Sequence, residues 1–170
     1  MARSSLRFPT AVMAAILFVS TLGIAAAQTA GAPKPVDPCA LLTQAEIQQA
    51  LGKPVQPGKL KTNNNPAAGS DCTFVVGDFG SFNVLLKPLS LSETPARIKA
   101  EFARLKMNPV DLPGVGDSSF FTSPGYGMTQ LHTLKGSRYI LFTMLVPGAT
   151  ESLQKTAAEK LMRTLLTRLK

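Results

Sequence analysis

The amino-acid sequence predicts an α+β domain: an antiparallel sheet of about five strands flanked by helices, in the order α-ββ-α-βββ-α. Three observations carry this expectation. Short runs rich in Phe, Val, Leu and Ile follow one another across glycine-bearing turns, as hairpins do. Stripes of apolar residues at helical spacing precede, interrupt and follow those runs. Hairpin connections make neighbouring strands antiparallel, and the apolar face of such a sheet must be buried against helices.

The first helix is expected over residues 43–51. Thr43 and Glu46 have capping-box spacing, Ile47 and Leu51 share one helical face, and Gly52 follows the last periodic residue. Residues 53–70 hold three prolines and Asn63-Asn64-Asn65, which predicts a long surface loop. Residues 72–76 and 81–88 form a hairpin across Gly77-Asp78-Phe79-Gly80. Pro95 opens the second helix, whose Ile98, Phe102 and Leu105 make a stripe flanked by Arg97, Lys99, Arg104 and Lys106; it should end near Asn108-Pro109. Three more strands are expected at 118–122, 128–135 and 138–146, joined by Ser123-Pro124-Gly125-Tyr126-Gly127 and by Gly136-Ser137. The last helix, residues 150–169, carries Leu153, Ala157, Leu161 and Leu165 at four-residue intervals, widened by Met162, Leu166 and Leu169.

Ahead of the domain, Arg3 and Arg7, an apolar stretch from Pro9 to Ala26, and Ala25-Ala26-Ala27 make the three-part pattern of a secretory signal peptide over residues 1–27. Residues 28–38 then read as an Ala/Gly/Pro linker and 39–170 as one domain. The rival reading of the apolar stretch as a retained membrane helix lacks a basic stop-transfer flank. Export to the periplasm or beyond implies an oxidising compartment, where Cys39 and Cys72, the only cysteines, are expected to form a disulfide. Closing a loop of that size stabilises the fold by about 3–4 kcal/mol in the chain-entropy account.

The Gly136-Ser137 turn fixes the register of the last hairpin, setting Lys135 opposite Arg138, Leu134 opposite Tyr139 and His132 opposite Leu141. Alternation then sorts the side chains into two faces. Leu131, Ile140, Phe142 and Met144 belong against the core. Gln130, His132, Tyr139 and Thr143, beside Leu134 and Leu141, form a mixed face that is the candidate ligand or partner surface.

Catalytic and cofactor signatures are missing. His132 is the only histidine and would have to serve as the base of any Ser/His/Asp or Cys/His arrangement. Ser118-Ser119 does not stand in a Gly-x-Ser-x-Gly elbow, and Gly114-Val115-Gly116 lacks the rest of a dinucleotide fingerprint, so it reads as a turn. The two cysteines and one histidine supply too few soft ligands for a metal, and no catalytic residue, cofactor or metal is expected. The whole-chain formal charge of +8 becomes +6 when Arg3 and Arg7 are set aside, which favours anionic partners, while export argues against nucleic acid. Lys155, Lys160, Arg163 and Lys170 lie opposite the leucine stripe of the last helix, as a helix on an anionic membrane surface would require; a helix burying its leucines on a sheet has the same pattern, and that is the reading adopted.

Several short motifs carry a resemblance: Asp37-Pro38-Cys39-Ala40-Leu41-Leu42-Thr43, Ala50-Leu51-Gly52-Lys53-Pro54-Val55, Asp71-Cys72-Thr73-Phe74 and Val115-Gly116-Asp117. Together they resemble small exported bacterial envelope proteins of unknown function, many of them lipoproteins, and the element order is similar to the Mog1/PsbP-like fold. The resemblance implies a binding or accessory module and no catalytic residues. The chain departs from the lipoprotein members because Val36-Asp37-Pro38, rather than small residues, precedes Cys39. The functional expectation is an exported binding or accessory domain acting on an envelope protein; the alternatives are a carrier of a small ligand or lipid, or an enzyme of unassigned chemistry.

Overall fold

The computed structural model describes residues 36–169; the expected signal segment and residues 28–35 of the expected linker lie outside them. Asp37 caps a short 3-10 turn, Pro38–Ala40, by accepting from the Cys39 amide at 2.8 Å. Thr43 and Glu46 form the expected capping box on α1 (Gln44–Leu51), which Gly52 ends in the left-handed conformation. The other helices are α2 (Pro95–Arg104) and α3 (Glu151–Arg168). Thr94 and Thr150 cap them by accepting from the Arg97 and Leu153 amides.

The fold is α+β with one sheet of seven strands, two more than expected, in the order β1-β2-β3-β7-β6-β5-β4. The strands are β1 (Lys59–Thr62), β2 (Ser70–Val76), β3 (Gly80–Pro88), β4 (Val110–Asp111), β5 (Ser118–Gly125), β6 (Met128–Lys135) and β7 (Arg138–Leu145), and every pairing is antiparallel. The two additions are the short edge strands. β1 corrects the expected loop over 53–70: its four residues are all exposed, so no apolar alternation marks it, and pairing with β2 alone defines it. β4 pairs only Val110 and Asp111 with Phe121 and Phe120. The second helix stops at Arg104, earlier than expected, because Lys106 and Asn108 take positive φ values of 60° and 45° and turn the chain toward β4.

The register of the last hairpin is the expected one, with Lys135 opposite Arg138, Leu134 opposite Tyr139 and His132 opposite Leu141. Leu131, Ile140, Phe142 and Met144 are fully buried, joined by Phe74, Phe82 and Val84 from β2 and β3. The Phe82 and Phe142 rings meet edge to face at 4.9 Å. α3 covers this side with Ala157, Leu161, Met162 and Leu165, and α1 adds Ile47 and Leu51. Arg168 joins the two helices, donating to the Glu46 carboxylate at 2.5 Å and to the Leu41 carbonyl at 2.9 Å. That guanidinium, with the Thr43 amide, holds the Glu46 carboxyl down to about 2.

Cys39 and Cys72 form a disulfide, with Cα atoms 5.1 Å apart, tying the 3-10 turn to β2. The bond fits an oxidising compartment. Gly116 sits in the expected turn with φ of 60°; a Cβ there would lie 2.6 Å from the Leu134 carbonyl oxygen, so only glycine lets the chain pass β6 this closely. Among the described residues no helix is long and apolar enough to cross a membrane.

Candidate functional site

The second face of the sheet is where the sequence placed its candidates. Strand alternation puts Phe120, Thr122, Gln130, His132, Tyr139 and Thr143 on it together. α2 covers one part: Phe102 packs its ring 4.3 Å from His132 and 6.1 Å from Phe120. Phe120 in turn stacks on the imidazole at 4.5 Å. The loop after β3 closes the neighbouring part, where Lys87 lies 5.3 Å over the Tyr139 ring and pairs with Glu93. Under this cover His132 has 0% exposure and Tyr139 is buried, while Gln130 and Thr143 stay half-exposed.

All four candidates belong to one chain of hydrogen bonds. His132 Nδ1 stands 2.6 Å from Tyr139 Oη, and Nε2 stands 2.8 Å from Thr122 Oγ1. Thr122 Oγ1 donates to Gln130 Oε1 at 3.1 Å, and Gln130 Nε2 donates to Thr143 Oγ1 at 3.3 Å. With the Thr122 proton directed at Gln130, the consistent assignment has Tyr139 donating to Nδ1 and the Nε2 proton going to Thr122. Every link then points from the buried phenol toward the half-exposed threonine. Thr122 is the member that sequence reasoning missed, since the long Ser123–Gly127 turn and a register shift between Thr122 and Gly125 hide its place opposite Gln130.

Burial also sets the protonation states. It lowers His132 to about 3, so the ring is neutral under ordinary conditions, and among the described residues no carboxylate lies in hydrogen-bond contact with it to offset the cost. The Tyr139 phenol is pushed up by burial, with the Glu93 carboxylate adding to the effect. An imidazole with both nitrogens already bonded and so low an affinity for a proton is a poor general base at neutral pH; what it does well is orient its neighbours. Among the described residues, no three His, Cys, Asp or Glu side chains gather to hold a metal.

Among the described residues, nothing covers the face beyond α2 and the loop after β3. The polar groups continue straight across the sheet in one row, Thr73 opposite Asn83, Asn83 opposite Thr143, Thr143 opposite Gln130 and Gln130 opposite Thr122. Asn83 Nδ2 donates to Thr73 Oγ1 at 2.9 Å and to Asp71 Oδ1 at 3.2 Å. Thr73, Asn83, Thr143 and Gln130 are half-exposed, as are Leu85 and Leu141 in the next row. Lys59 and Lys61 flank the row at β1. This surface is open rather than hollow: the described depressions lie elsewhere, about 670 Å³ along α1 around Gln48 and Lys53, and about 410 Å³ between Phe121 and α3. Comparison with known proteins adds no relative: no family model, no curated protein and no solved structure matches this chain.

Proposed function

We propose that the chain is an exported binding or accessory domain of a bacterial cell envelope, with a Mog1/PsbP-like arrangement, that holds a partner protein against the uncovered face of its sheet. The observation that carries this reading is the half-exposed row Thr73-Asn83-Thr143-Gln130: hydrogen bonds orient Gln130 and Thr143 from a buried His132 and Tyr139, and Asn83 is held separately by Thr73 and Asp71. Such a row offers a partner oriented donors and acceptors at little entropic cost. Its flatness favours a protein surface over an enclosed small ligand. Lys59 and Lys61 at its margin, and the basic balance of the chain, suit carboxylates on that partner.

The test is native mass spectrometry of the protein recovered undenatured from its own envelope, unsubstituted and as Asn83→Arg. Asn83 is half-exposed at the centre of the row, so the larger side chain should fold but obstruct docking. A discrete companion mass of protein size that the substitution removes supports the reading. A bare monomer, a companion that survives Asn83→Arg, or a companion of a few hundred daltons contradicts it.

A further inference from the structure

The register gathers three loops at one end of the sheet. Val76 pairs with Gly80 across the β2–β3 turn, and Ser81, Leu145, Met128 and Gly125 stand in one row, so the β5–β6 turn and the exit of β7 lie at the same end. Two aromatic side chains project from these turns, Phe79 at 86% exposure and Tyr126 at 99%. With only β7 between the two hairpins, the tips stand roughly 14 Å apart.

Packing does not account for either ring. Tyr126 has φ of 54°, between Gly125 at 99° and Gly127 at 73°, in the left-handed region that glycine favours and a bulky residue avoids. A side chain held there without contacts points to a role outside the fold. The tips Gly77-Asp78-Phe79-Gly80 and Pro124-Gly125-Tyr126-Gly127 carry one charge between them, on Asp78. Beside them, where Gln154 Nε2 donates to the Gly127 carbonyl at 3.0 Å, the first turn of α3 exposes Leu153.

We infer that this end of the domain seats on the lipid–water interface of an envelope membrane, with Phe79 and Tyr126 entering the headgroup region. The Tyr126 ring, with its polar edge, suits that zone, and Phe79 adds a wholly apolar ring. A bilayer accepts separated side chains without shape matching, whereas a protein partner needs about 800 Å² of complementary surface on each side, and tips flanked by glycine offer little of it. Without Lys or Arg on either tip, the contact is apolar and does not depend on anionic lipid. It is distinct from a helix lying on headgroups, because Leu161 and Leu165 of α3 are committed to the core. It uses an end of the sheet and leaves the open face free.

The chain has no tryptophan, so Phe79→Trp, Tyr126→Trp and Leu91→Trp each introduce a single indole, which can be excited apart from the tyrosines. Leu91 is fully exposed in the loop after β3, at the opposite end of the sheet. The probe is vesicles of phosphatidylcholine alone, added to the chain from Gln28 onward, whose disulfide and described core lie within residues 36–169. The expected result is a blue shift of emission at 79 and 126 but not at 91, unchanged between about 50 and about 500 mM salt. Combining Phe79→Ser with Tyr126→Gly should weaken co-flotation about tenfold without lowering the melting temperature. No shift at 79 and 126, an equal shift at 91, or a shift abolished by salt overturns the inference.

Discussion

On the side of the sheet turned to α1 and α3, Phe82, Leu131, Ile140 and Phe142 have no solvent exposure; one residue along the same strands, Asn83, Gln130, Leu141 and Thr143 stand half-exposed. The first face is held by shape, through interlocking aromatic and branched side chains. On the second, two separate sets of hydrogen bonds orient the polar side chains, one from Tyr139 through His132, Thr122 and Gln130 to Thr143, the other from Asn83 to Thr73 and Asp71. Strand alternation lets both be written into the same residues, and a one-residue slip in register would exchange them. The larger share of the core therefore lies on the closed face, and the uncovered part of the second keeps the freedom to meet another molecule.

The neighbouring residues Phe142 and Leu141 break this comparison most directly. Phe142→Ala should cost about 3–5 kcal/mol by leaving a cavity among Phe82, Ile140 and Met144, whereas Leu141→Ala should cost about 1 kcal/mol. Equal losses in denaturant titrations would show that the faces do not differ as described.

His132 provides the next effect. Its ring is neutral in the fold down to about 3 but titrates near 6.5 once exposed. Between those values the unfolded chain binds more protons, so the contribution is complete above 6.5 and is lost as pH falls toward 3. Glu46, Glu93, Glu101 and Glu151 are held below their ordinary 4.5 and begin to weaken the fold within about one pH unit above that value, which leaves the interval from 6.5 to about 5.5 to His132. Stability should fall by about 1 kcal/mol across that interval, and His132→Gln should flatten the slope. A slope that persists in the variant would place the titrating group elsewhere.

The smallest effect is at the sheet end. Replacing the left-handed Tyr126 by glycine should raise stability by up to about 1 kcal/mol, because the ring contributes no packing. A melting temperature that falls on Tyr126→Gly would mean that the ring supports the fold after all.

Much of this architecture was legible in the sequence because local chemistry dictates it. Thr43 with Glu46 fixes the start of α1, Gly136-Ser137 fixes the last hairpin, and two cysteines leave one pairing. The unread parts depend on distant partners. Lys59–Thr62 has no apolar alternation and becomes a strand only by pairing with β2, and Val110–Asp111 only by pairing with β5. The same holds for the candidate face. Gln130, His132, Tyr139 and Thr143 were legible from one hairpin's register, but Thr122 and Asn83, which extend their hydrogen bonds and their row across the sheet, come from β5 and β3. The cover over His132 comes from Phe102 of α2, whose position no local pattern specifies.

The most direct measurement of whether the open face docks a partner is photocrosslinking in the cells that export the protein, with p-benzoylphenylalanine placed at Thr143 on the open face or at Thr167 on the exposed side of α3. The account predicts one discrete crosslinked protein from position 143 and none from position 167. Crosslinks of equal yield from both positions, or none from position 143, would contradict it.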